Sequence, residues 1–130
     1  MRLELILSDT AIEQVVKNID LPLRARNTNV LDIVVRDEEG VVVDLTGSTF
    51  FFTVKEKISD SDDSAKLKKD VTSHTYPESG QTQITLSATD TTSLLGNYVY
   101  SIKIKTTTGL IYTLCEGSVT FKQEASTRTS

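Results

Sequence analysis

Apolar residues recur at every second position along almost the whole chain after residue 18. That period predicts strands with one buried face and excludes long amphipathic helices. Ile19, Leu21 and Leu23 alternate with Asp20, Pro22 and Arg24, and Leu31, Ile33 and Val35 with Asp32, Val34 and Arg36. Val41, Val43 and Leu45 predict a further strand, and Phe50, Phe52 and Val54 another. The pattern resumes at Ile84, Leu86 and Ala88, then at Tyr98, Tyr100, Ile102 and Ile104. Leu110, Tyr112 and Leu114 follow, and Gly117, Val119 and Phe121 close the series. Leu67 and Val71 mark a weaker, lysine-rich strand near an edge, where charge discourages further pairing. Pro22 has no N–H to give to a ladder, so its strand also belongs at an edge. The consecutive Phe50, Phe51 and Phe52 imply a strand buried on one face and partly covered on the other.

The breaks between these runs are turn-like. Asp37-Glu38-Glu39-Gly40 predicts a polar turn with positive φ at Gly40, and Asp44-Leu45-Thr46-Gly47 is a second turn between buried strands. Ser59 to Ser64 is an acidic, low-complexity loop, and Ser73 to Gly80 is a loop broken by Pro77 and Gly80. Thr89 to Leu95 predicts a one-turn helical crossover, and Thr108-Gly109 a hairpin. The step Leu95-Gly96-Asn97-Tyr98-Val99-Tyr100 resembles the tyrosine corner of immunoglobulin-like sandwiches, with Tyr98 as the corner residue.

The first 18 residues depart from the scheme. Leu3, Leu5 and Leu7 alternate as a strand would, and Thr10 to Glu13 matches a capping box. Ile12, Val15, Val16 and Ile19 then fall on one helical stripe. A helix this short needs a surface to lie against. Residues 1–18 are therefore expected to form a strand/helix arm, residues 19–124 the sandwich, and residues 125–130 a polar tail. Leu3, Leu5, Leu7, Ile12, Val15 and Val16 are the expected partner interface.

At 130 residues the chain is one domain's worth, long enough for a single core. A net charge of −4 argues against nucleic-acid binding, and the Lys66, Lys68, Lys69 cluster suits the wet face of a strand. No apolar run reaches the roughly 20 residues of a membrane span, and none resembles a secretory signal. Cys115 is the only cysteine, which rules out a disulfide within the chain and suits a structural thiol.

Chemistry is sparse. The single histidine, His74, and Cys115 lie far apart in sequence and give no metal-ligand spacing. Asp60, Asp62 and Asp63 offer oxygen ligands for calcium but lack the glycine and the distal glutamate of an EF-hand loop. Glu38 and Glu39 share a solvated turn, and no glycine-rich loop precedes a helix. No cofactor is expected, and an enzyme is disfavoured because titratable groups do not converge. A carbohydrate- or host-surface-binding module is the alternative. It would need an aromatic platform, and Tyr76 is the one tyrosine placed in a loop.

The order of these pieces resembles a family of small bacteriophage β-sandwich proteins related to the N-terminal part of the lactococcal phage upper baseplate protein. The resemblance runs over about residues 19–128. It is carried by Asp37 to Gly47, Ile84 to Thr91, Gly96 to Ile102, Glu116 to Phe121 and the ending Glu124-Ala125-Ser126-Thr127-Arg128. Asp44, Gly47, Gly96, Tyr98 and Gly117 are its structural signature here. Arg26-Asn27-Thr28-Asn29 departs from the family's usual glycine-containing step, and the arm lies outside the common outline. The resemblance implies an all-β, immunoglobulin-like sandwich in a virion, in the tail or baseplate or as a fibre adaptor. It would contact other virion proteins in multiple copies or as a homo-oligomer, with no part for nucleic acid or membrane.

Overall fold

In a computed structural model, residues 2–7, 17–57, 59–61 and 64–123 are described. They form two β-sheets packed face to face, an all-β sandwich. The strands are β1 (Arg2–Ile6), β2 (Lys17–Asn18), β3 (Leu21–Arg24), β4 (Asn29–Arg36), β5 (Thr49–Lys55), β6 (Leu67–Val71), β7 (Gln81–Leu86), β8 (Gly96–Lys105) and β9 (Ile111–Lys122). The smaller sheet has the order β1-β4-β7, with β1 parallel and β7 antiparallel to β4. The larger runs β2-β9-β8-β5-β6, with β3 continuing beside β9 after β2. Both β2 and β3 run parallel to β9. Pro22 therefore sits on an edge, as its missing N–H requires.

The alternation in sequence becomes the two inner faces. Leu31, Ile33 and Val35 of β4 meet Phe50, Phe52 and Val54 of β5 and Tyr100, Ile102 and Ile104 of β8 in one continuous core. Each such side chain contributes about 1.5–3 kcal/mol on burial, which is the main support of a chain with no disulfide. In β9 the phase slips. Ile102 faces Cys115 while the next residue, Lys103, faces Thr113, so Leu114 is an extra residue in a bulge. Leu114 and Cys115 are adjacent yet both buried, and the strand bends there.

Two expected elements are corrected. Val41 to Leu45 is not a strand; it makes one isolated bridge, Arg36 to Val42, and Val41 is 57% exposed. Its hydrogen bonds go in several directions. The Asp37 carboxylate accepts from the Val41 N–H at 2.9 Å, Val43 donates to Val35, and Leu45 donates to Pro77. A segment whose donors serve separate partners cannot build a ladder. Likewise Thr89 to Leu95 forms successive turns rather than a helix, closed by Thr92 to Thr89 and Leu94 to Thr91 bonds. Ser87 and Asp90 exchange reciprocal backbone caps, but the β-branched Thr91 and Thr92 do not carry a helix forward.

Candidate functional site

The residues expected on the partner interface are divided by the structure. Leu3 and Leu5 are buried in the sandwich's own core, in register with Ile33 and Val35. Leu7 packs partly against the same core and donates its N–H to Arg36. The expectation that Leu3 and Leu5 await another subunit is thereby corrected: the sandwich's own core supplies the surface they needed. Alternation shows that one side of a strand is buried, but not what buries it. Ile12, Val15 and Val16 lie outside the described residues, as does the tail 125–130.

Beyond residue 16 the chain joins the other sheet. Ile19 donates to Glu116 at 3.2 Å and accepts the Tyr100 hydroxyl at 2.6 Å. Burial, and then the nearby Cys115 thiol at 3.0 Å, push the Tyr100 hydroxyl above its ordinary range, so it remains a donor. Gly117 makes this approach feasible, because a Cβ there would stand 2.7 Å from the Ile19 carbonyl oxygen. The tyrosine that ties back to a distant backbone is therefore Tyr100. Tyr98, the expected corner residue, packs edge-on against the Phe121 ring.

The remaining signature residues shape turns. The Asp44 carboxylate accepts from the Thr46 hydroxyl at 2.6 Å and the Thr46 N–H at 2.9 Å, which hold it below the usual aspartate range. Gly47 follows at φ +77°, and a Cβ there would strike the Thr107 methyl group. The turn thus lies against the β8–β9 hairpin. Gly96 opens β8.

Other polar groups hold loops to strands. His74 bridges the Thr82 hydroxyl at 2.8 Å and the Ser48 carbonyl at 2.7 Å, with Phe50 edge-on to its ring. Since Ser48 offers only an acceptor, Nε2–H donates to it. Asp90, held below the usual aspartate range by the Ser87 N–H and Lys69, links the crossover to β6 at 3.0 Å. In the acidic loop the Asp60 carboxylate accepts from the Lys57 N–H, while Asp62 and Asp63 lie outside the described residues. Among the described residues no group of His, Cys, Asp or Glu has the arrangement of a metal site. No helix among them is long and apolar enough to cross a membrane.

One surface was not anticipated. The outer face of the larger sheet is hollowed into a trough of about 720 Å³, spanning β6, β5, β8 and β9. Thr53 and Ser101, directly opposite each other, form its floor. Phe51 rises beside them, between Asp70 on β6 and Lys103 on β8. Lys68 stands opposite Thr53, and Glu116 opposite Ser101. The signal available in the sequence was the run of short hydroxylated residues at wet positions of adjoining strands, which by itself reads as an ordinary solvated face.

No family model matches the chain, and no curated protein does. Among solved structures it is similar to the N-terminal domain of phage TP901-1 ORF48, with a TM-score of 0.53 and 12% sequence identity. The match covers 93% of this chain and 98% of that one. The expected likeness to a phage β-sandwich domain is borne out at the level of the fold.

Proposed function

We propose that the chain is a non-enzymatic structural protein of a bacteriophage particle, a component of the tail or baseplate or an adaptor for fibres. The observation that carries this reading is the end-to-end match to a phage domain, 93% of one chain on 98% of the other. The sequence resemblance over about residues 19–128 points the same way. The order β9-β8-β5-β6 facing β4-β7 supports placing the sandwich in the immunoglobulin-like class. Its polar clusters support the non-enzymatic part of the reading: His74 with Thr82 and Ser48, and Asp90 with Ser87 and Lys69, each fasten a loop to a strand. On this reading the protein works by offering surfaces to other virion proteins and is present in multiple copies.

The test is composition and position in purified particles. Quantitative mass spectrometry of gradient-banded virions should find the chain at a stoichiometry matching tail proteins, and immunogold should label the tail end. Recovery only from the soluble lysate, with none in banded particles, would overturn the reading.

A further inference from the structure

We infer that the trough on the outer face of the larger sheet is a binding site for an uncharged oligosaccharide. Its volume of about 720 Å³ falls within the roughly 300–1,000 Å³ of clefts that hold small ligands. The lining supplies what a sugar chain asks for. Thr53 and Ser101 place two hydroxyls side by side at the bottom, each able to donate and accept. Phe51, half-buried beside them, offers an apolar surface to the C–H face of a sugar ring.

The charges of the rim decide between an ion and a neutral polyol. Lys68 and Lys103 are set against Asp70 and Glu116, alternating in sign around the floor. Lys55, a further lysine of the lining, is turned to the Asp60 carbonyl at 3.0 Å. Three lysines against two carboxylates leave the lining only weakly positive, with a small field to concentrate an anion. It presents donors and acceptors in turn, which suits vicinal hydroxyls.

Two protein occupants fit less well. A second copy meeting this face would set hollow against hollow and leave a void that close packing does not tolerate. An extended peptide adds to the open edge of a sheet, whereas the trough lies across the interior strands β5 and β8. The site is also distinct from Tyr76, which is 66% exposed on the loop before β7 and is absent from the trough lining.

The experiment is a ¹⁵N-correlation titration of the full chain with maltohexaose, cellohexaose and chitohexaose, each up to about 10 mM, a range suited to weak binding. Shifts should centre on Phe51, Thr53, Ser101 and Thr113 for at least one of these, and should persist at high salt. Ser101→Tyr, which fills the floor on a strand that tolerates aromatics, should weaken that binding at least about tenfold while the melting temperature stays unchanged. Gln83→Tyr on the opposite sheet should leave binding intact. Absence of shifts with all three sugars would overturn the inference. So would binding confined to an oligogalacturonide and lost at high salt, which would mark an ionic site. Failure of Ser101→Tyr to enter particles, with no sugar bound by the parent chain, would identify a protein-docking face instead.

Discussion

The two sheets expose outer faces built on the same alternation and ending in different surfaces. On the smaller sheet pairs of outward residues engage one another: Gln83 donates to Asp32 at 2.7 Å, and Arg2 stands 3.6 Å from Glu4. On the larger sheet the outward residues at the centre of β5 and β8 are short, and the sheet is hollow where they meet. Their inner faces are alike, with Ile33 and Leu86 buried on one and Phe52 and Ile102 on the other. Polarity alone therefore says which side is wet. Side-chain length and contact between neighbours then shape that side, and at Thr53 and Ser101 they leave a recess.

The largest effects should come where the sheets do not differ. Phe52→Ala should destabilise the fold by about 3–5 kcal/mol and Leu5→Ala by about 2–5 kcal/mol in urea denaturation, from lost burial and the cavities left behind. A negligible cost for Leu5→Ala would show that β1 detaches freely, and the likeness of the inner faces would fail. Tyr100→Phe comes next, at about 1–2 kcal/mol, because the Ile19 carbonyl loses a buried donor. Hydrogen exchange should then speed up at Ile19 while amides of β4 and β7 stay protected.

The outer faces should separate by readout rather than by size. Gln83→Ala, at an exposed position, and Ser101→Tyr, at a half-buried one that opens onto the trough, should each change stability by no more than about 0.5 kcal/mol. Only the second should alter ligand binding. The smallest effect is acidic. Asp90 sits on the crossover between the sheets with its carboxyl held below the usual aspartate range by the Ser87 N–H and then Lys69. A depressed folded value stabilises the protein fully above the unfolded value, and the benefit fades as pH falls through the folded one. Melting temperature should accordingly lose its Asp90-dependent part only below about pH 4, and Asp90→Asn should flatten that decline.

What alternation made legible was the inner face. Phe50, Phe52, Val54, Ile102 and Ile104 are buried as their spacing requires, and Pro22 lies on the edge. Hydrogen-bond direction was not legible. Val41 to Leu45 has a strand's pattern, but Asp37, Val35 and Pro77 divide its bonds among them. Nor was the choice of partner: Leu3 and Leu5 read as part of an arm, since their pairing to β4 is non-local. The bulge did leave a trace, in the passage from Tyr112 and Leu114 to Cys115, Val119 and Phe121 at opposite parity. The trough left almost none, because threonine and serine on a wet face are compatible with a flat surface as well as a concave one.

The pairing of the N-terminal segment with both sheets sets an order in time during synthesis. β1 can find β4 early, since Leu3 pairs with Ile33. β3 must wait for the last strand, because Leu21 pairs with Val119. At about 5–20 residues per second, roughly 4–17 s separate the emergence of those two partners from the ribosome. For that interval Leu21 and Leu23 have no strand to lie beside. An early hold on β4 keeps the segment's other end near the place where β9 will arrive.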